Sequence, residues 1–407
     1  MPVRKKVFGN LPNTALVLTA VSFLVAVGFG LIIPAIPVFA KSFGVTNTAI
    51  GLVVSMFALM RFSAGLFSGK VVNLFGERMV LGVGLFLVAF FILLTGFAQS
   101  YLQLLIFRTL SGLGSSMFSV SASSLLLRSV NPNQRAQAQS IYNGGFLVGG
   151  VAGPAVGGLL AGINPRAPFF VYATSLSMAS FVAFFFLTEK RIGSHVADSL
   201  PNQIQTSIRQ ALAMYPYRVI LFLIFVFNWV LFGIRSSILP LFVTDKLGSS
   251  IAIAGLGITV GALVQGIFLI PAGKYSDKNG RKPALINGGL FILIGLLLLI
   301  FSSNLITYFI SMVLMGFGSA YASAAPMSIV GDLISGRGGQ VIAVAQMAGD
   351  AGMIAGPLIL GFITDHSGFT PAFAVSTFLF LASYLLIFTI QETHTRQKTV
   401  TKSEPEF

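Results

Sequence analysis

Runs of roughly twenty mostly apolar residues recur from end to end of this 407-residue chain, and twenty residues of helix cross a bilayer core of about 30 Å. Twelve such runs fall at 14–40, 46–69, 79–98, 101–128, 136–162, 167–188, 218–244, 250–273, 283–302, 304–332, 338–364 and 370–390. Lipid offers backbone N–H and C=O groups no partner, so runs of this length are read as helices. The expected fold class is an all-α integral membrane protein with twelve transmembrane helices. Composition agrees: 55% of residues are hydrophobic and 9% charged, where a soluble domain carries about a quarter charged.

The net charge of +14 suggests a nucleic-acid partner until its placement is examined. With the N-terminus assigned to the cytoplasm, only Lys41, Arg166 and Lys246 fall outside, and only Arg61, Arg108 and Arg235 within spans. The other basic residues lie on the cytoplasmic side, which is the positive-inside pattern of a multi-pass protein of the plasma membrane with both termini inside. The expected surroundings are lipid, and no nucleic-acid partner is implied. The opening "VRKKVFG" precedes an apolar run too long for a signal peptide and holding Pro34 and Pro37, so it reads as a retained first span. There is no Cys, and hence no disulfide or thiolate chemistry.

The longest polar stretch divides the spans six and six. It gives an N-terminal half at 1–188, a cytoplasmic linker at 189–217, a C-terminal half at 218–390 and a cytoplasmic tail at 391–407. The halves align at a near-constant offset: Gly69 with Gly273, Gly76 with Gly280, Gly112 with Gly316, Gly114 with Gly318, and Gly153-Pro154 with Gly356-Pro357. Two pseudo-symmetric six-helix halves of this kind build one class of secondary carriers, with a substrate site at the midplane between them.

Three stretches carry a family resemblance. "GKYSDKNGRK" at 273–282, echoed by "GKVVNLFGER" at 69–78, resembles the loop signature of the major facilitator superfamily. "RTLSGLGSS" at 108–116 resembles its helix 4 signature, and "GGVAGPAVGG" at 149–158 the helix 5 signature of its twelve-span drug:proton antiporters. The resemblance covers the whole chain. It implies alternating access, proton-coupled efflux of a small organic molecule, and a role in proton coupling for Arg108.

Charges inside spans cost several kcal/mol on some scales and mark pathways by default. Among eleven Asp and Glu, Asp350 alone lies deep in a span, thirteen residues beyond Arg337 and so about 20 Å into the membrane. It is the expected proton carrier; the alternative is a permanently ionised Asp pinned to an arginine for structure. Arg61, Asn143, Asn228, Arg235, Gln265 and Gln346 are assigned to the substrate cavity, with Asn228 and Arg235 on one helical face and Gln346 one turn from Asp350. Three arginines against one acid make that cavity net positive. The expected cargo is accordingly anionic, zwitterionic or neutral and amphipathic.

The loops are assigned to gating: Gly69, Asn73, Gly76, Glu77, Arg78 and Arg128 in the first half, and Gly273, Asp277, Gly280, Arg281, Lys282 and Asp332 in the second. Arg281/Asp332 against Glu77/Arg128 is a reversal of both signs, which predicts a latch in each half; the alternative is solvated, unpaired charge. Asn73 stands where the family pattern has Asp, as at Asp277. Gly145, Gly149, Gly153 and Gly157 recur every four residues around Pro154 and admit a close helix, either for packing alone or for a contact that rocks. Gly356 and Pro357 are the repeat counterparts.

Enzyme chemistry is not expected. No G-x-x-x-x-G-K-[ST] loop occurs, His195, His366 and His394 lack metal-ligand spacing, and no nucleophile motif or cofactor site is recognisable. The expected function is a monomeric secondary transporter for a small-molecule substrate with the proton as coupling ion. Uptake, exchange, and a transporter-like receptor are the alternatives.

Overall fold

A computed structural model describes residues 12–130, 135–187, 207–322, 325–333 and 339–392. Twelve long helices are present among them, and no strand. The first six are α1 (Asn13–Lys41), α2 (Asn47–Phe75), α3 (Glu77–Phe97), α4 (Tyr101–Ser129), α5 (Arg135–Ile163) and α6 (Ala167–Phe186). The second six are α7 (Tyr215–Lys246), α8 (Ile251–Asn279), α9 (Arg281–Ile300), α10 (Leu305–Leu333), α11 (Gly339–Ser367) and α12 (Phe369–Thr389). Eleven are apolar enough to cross a membrane by composition alone. The twelfth, α4, carries Arg108 and a run of serines because much of it faces the interior, so its average hydropathy is low while its length still spans.

Each half closes around its own core. Leu18, Leu81, Leu85, Ile92 and Phe169 are buried in the first, and Tyr217, Phe242, Leu296, Tyr308 and Phe373 in the second. The short helix Ile208–Ala213, opened by a Ser207/Gln210 capping box, leads into α7. The rest of the 189–217 linker, to residue 206, and the tail from 393 lie outside the described residues.

The repeated loop motif has a local physical basis. Gly76 and Gly280 sit at φ 82° and 108° where α2 turns into α3 and α8 into α9, a backbone that side chains disfavour. The basic residue two positions on reaches the end of the last helix in its half: Arg78 donates to the Phe184 carbonyl, and Lys282 Nζ to the Phe388 and Ile390 carbonyls at 2.9 and 2.7 Å. Cations there complement the negative end of a helix.

Among the described residues, the contacts between the halves lie toward one face. Call the face where α1 begins and α12 ends the near face. At the far face the Asp365 carboxylate of α11 accepts hydrogen bonds from the Asn47 and Thr48 amides, both at 2.7 Å, capping α2 across the divide. Lys41 pairs with Asp245 beside it. Deeper, a Cβ on Gly51 would strike the Pro357 carbonyl, and one on Gly255 the Pro154 carbonyl, so two repeat-related glycines let α2 meet α11 and α8 meet α5. The Ser55 hydroxyl donates to the Ile354 carbonyl at 2.6 Å, and Phe57, Ala58 and Met353 form an apolar plug with Phe29 and Phe232 against it. Beyond the plug, toward the near face, a cavity lies between the halves.

Candidate functional site

The cavity beneath the plug has a volume of about 780 Å³, within the range of drug-sized ligand sites. α2 and α11 run antiparallel, and their contacts descend in steps: Thr48 with Asp365, Gly51 with Pro357, Ser55 with Ile354, Ala58 with Met353. One further turn inward brings Arg61 and Asp350 onto the cavity wall from opposite halves. Asp350 is the only carboxylate, and Arg61 the only cation, among the described residues lining it. Among the described residues the two are not in ion-pair contact.

Two amides, Asn228 and Gln346, join Asp350 on the C-terminal side. Asn228 holds its position by donating from Nδ2 to the Ile224 carbonyl at 3.0 Å. Gly349 lets it lie against α11, since a Cβ there would press on the amide. On the N-terminal side α4 presents Ser116, Ser119 and Ser123, spaced three and four residues apart on one face. Ser116 also shares a hydrogen bond with Ser68 at 3.1 Å. This hydroxyl face is legible as the serine run of "GSSMFSVSASS", although charge alone does not mark it. Phe62, Met327 and Met347 supply apolar wall.

Two of the three span arginines lie elsewhere, which removes the expectation of a net positive cavity. Arg235 was placed on the Asn228 face by 3.6-residue periodicity, but Trp229–Ile238 is π-helical. Its i→i+5 turns are wider, so seven residues no longer make two turns. Arg235 instead enters the C-terminal half, where Nη2 donates to the Ile258 carbonyl at 2.9 Å and the side chain borders a separate small void with Met312 and Met315. Arg108 lies on the far side of the plug, 3% exposed. It stacks 3.8 Å from the Phe57 ring centroid, donates from Nη1 to the Ser111 hydroxyl at 3.1 Å, and leaves Nε without a partner beside a void of about 20 Å³. The plug separates it from Asp350. Asn143, exposed on α5, and Gln265, half-buried on α8, are not among the cavity's lining residues.

Arg281 Nε stands 2.9 Å from Asp332. Glu77 accepts from the Ser124 hydroxyl at 3.0 Å, while the side chains of Asn73, Arg128 and Asp277 and the surroundings of Gly69 lie outside the described residues. Gly273 has open space around it. The glycine stripe of α5 packs within its own half: Gly145, Gly149, Gly153 and Gly157 meet Thr19, Phe23, Gly30 and Leu31 of α1. The contact across the divide uses a neighbouring face, where Pro154 and Gly158 touch Gly255 and the Ala155 amide donates to the Thr259 hydroxyl at 2.8 Å. Gly356 packs on Trp229 and Gly233 of α7, repeating the arrangement of α5 on α1.

Comparison with known proteins agrees with this architecture. The chain is 28% identical to the quinolone resistance protein NorA of Staphylococcus aureus over 267 residues, 63% of this chain and 66% of that one, so the match spans just under two thirds of that relative's length. It is 24% identical over 376 residues to the MFS-type transporter MJ1560 of Methanocaldococcus jannaschii, covering 88% and 93% of the two. A bacterial homolog of the human lysosomal transporter Spinster, solved inward-facing and unoccupied, superposes with a TM-score of 0.77 at 16% identity, covering 92% of this chain and 96% of that one. The human organic anion transporter MFSD10 gives 0.65 at 18% identity, covering 92% and 99%. The family model described as Major Facilitator Superfamily matches residues 18–242 and 221–406, and the chain belongs to that superfamily of membrane transporters.

Proposed function

We propose that this chain is a proton-coupled exporter that moves a small amphipathic organic molecule out of the cell by alternating access. Asp350, the single carboxylate among the described residues of the cavity wall, carries the reading. Its charged neighbour is Arg61 from α2; α7 offers the neutral Asn228 and Ile224, and no other titratable side chain lines the cavity among the described residues. The near face is cytoplasmic by the positive-inside bias of its loops, which makes this conformation inward-facing. NorA's name as a quinolone resistance protein and the antiporter-like "GGVAGPAVGG" both favour export of drug-sized cargo. The Arg281–Asp332 pair, with its counterpart around Glu77, clamps the cytoplasmic helix ends as the halves rock.

The test is transport in proteoliposomes under an imposed pH gradient. Asp350→Asn is expected to abolish gradient-driven accumulation while leaving exchange of substrate for substrate measurable. Wild-type accumulation by the variant would remove Asp350 from the proton path, and accumulation only in the opposite direction would make the protein an importer.

A further inference from the structure

The withdrawal of Arg108 and Arg235 changes what the cavity selects. A site with three arginines and one acid would favour anions, but the described residues of the wall hold one charge of each sign, and the signs are segregated by half. Arg61 and the serine face belong to the N-terminal half, and Asp350 with the Asn228 and Gln346 amides to the C-terminal half. Neither charge is neutralised by the other in ion-pair contact among the described residues. Charges facing a partly enclosed cavity reward a ligand that supplies both missing partners, and penalise one that leaves either unpaired.

We propose that the cavity is built for a zwitterion, whose carboxylate is held by Arg61 and the α4 hydroxyls and whose ammonium group is held by Asp350 with the flanking amides. This deepens the export reading and rests on the same site. A guanidinium matches a carboxylate with two parallel N–H donors, which suits Arg61 to the anionic end. An ammonium group is a compact donor that one carboxylate and two amide oxygens can surround. Phe62, Met327 and Met347 accept an apolar body between the charged ends, methionine thioethers adapting to its shape. The ammonium group and a proton compete for one carboxylate, so loading substrate from the cytoplasm releases the proton there, and exchange needs no second acid.

Three probes of nearly one size separate the possibilities: an arylpiperazine carboxylic acid, its methyl ester, which is a cation, and its N-acetyl derivative, which is an anion. Binding is measured by titration calorimetry on the detergent-solubilised full chain, without any gradient. The wild type is expected to bind the zwitterion about tenfold or more tighter than either derivative, the loss of one charge contact. Arg61→Gln should lower zwitterion affinity to that of the ester and leave the ester unchanged. Asp350→Asn should lower it to that of the N-acetyl compound and leave that compound unchanged. A wild type that binds the zwitterion no tighter than both derivatives, or not at all, overturns the proposal, as does either substitution weakening all three equally. If thermal melting shows that Arg61→Gln is unfolded, Arg61→Lys must retain the zwitterion preference, and its loss overturns the proposal equally. A zwitterion preference without gradient-driven transport would leave the site assignment standing and remove the export reading; gradient-driven transport of all three probes alike would do the reverse.

Discussion

Asp365 illustrates how one side chain can bias a whole transporter. Its carboxylate caps the first turn of α2 although it belongs to α11, so the cap exists only while the far face is closed. An N-cap is worth about 0.5–2 kcal/mol, and here that energy enters the balance between the two access states directly. The absence of Cys makes the shift measurable, because an introduced thiol is the only one. In a Ser55→Cys background, where the site is 2% exposed under the seal, adding Asp365→Ala should raise labelling by an impermeant maleimide from outside. The expected increase is about two- to thirtyfold, and an unchanged rate would show that the cap does not hold the gate. Nothing in the sequence marks Asp365 as special. It reads as a loop-edge acid, and its partner is more than three hundred residues away. Asp350 and Arg61, by contrast, were legible because a charge within a span has few explanations.

Helices were the most legible level, for a reason particular to membranes: length and hydropathy suffice when backbone hydrogen bonds must close within each span. Even α4 was recovered, since its serines and Arg108 shorten no run. What the periodicity could not carry was helix type. The π-helical turns of α7 are fixed by packing around Trp229 and Ser236, the latter donating back to the Leu231 carbonyl five residues earlier, and they redirected Arg235. The glycines on the helix pairs were legible as small residues, yet their partners were not. Gly51 against Pro357 and Gly361 against Asn47 join α2 to α11 backbone to backbone, and Gly255 against Pro154 and Gly158 against Ile251 do the same for α8 and α5. Gly255→Leu should therefore wedge α8 from α5 at the outer seal. Backbone atoms cannot swing aside as a side chain can, so the variant should raise Ser55→Cys labelling and slow exchange, while Gly266→Leu on the same helix, with nothing nearby, should do neither.

For the whole molecule, the far-face seal among the described residues is a set of small, separable terms: a cap, an ion pair, several backbone contacts and an apolar plug. A gate of this kind opens without any single large cost. Lys41 and Asp245 are both partly exposed, so their pair contributes only about 0–1 kcal/mol and weakens with salt. Asp245→Lys should increase outside labelling by up to about fivefold at low salt, and the double variant Lys41→Asp/Asp245→Lys should return it toward wild type. Persistence of the full increase in the double variant, or independence from ionic strength, would show that the pair is incidental.

That pair also bears on how such a chain can have arisen. Lys41 and Asp245 are 204 residues apart, the same offset that relates Gly51 to Gly255 and Gly76 to Gly280. Each therefore meets its own counterpart across the pseudo-twofold axis. In any arrangement of two identical halves, a residue on the axis meets a copy of itself, and lysine would face lysine or aspartate aspartate. Opposite charges at this position are open only to a protein whose halves have been free to diverge, so fusion into one chain allows a closure that no symmetric pair of half-length subunits could make.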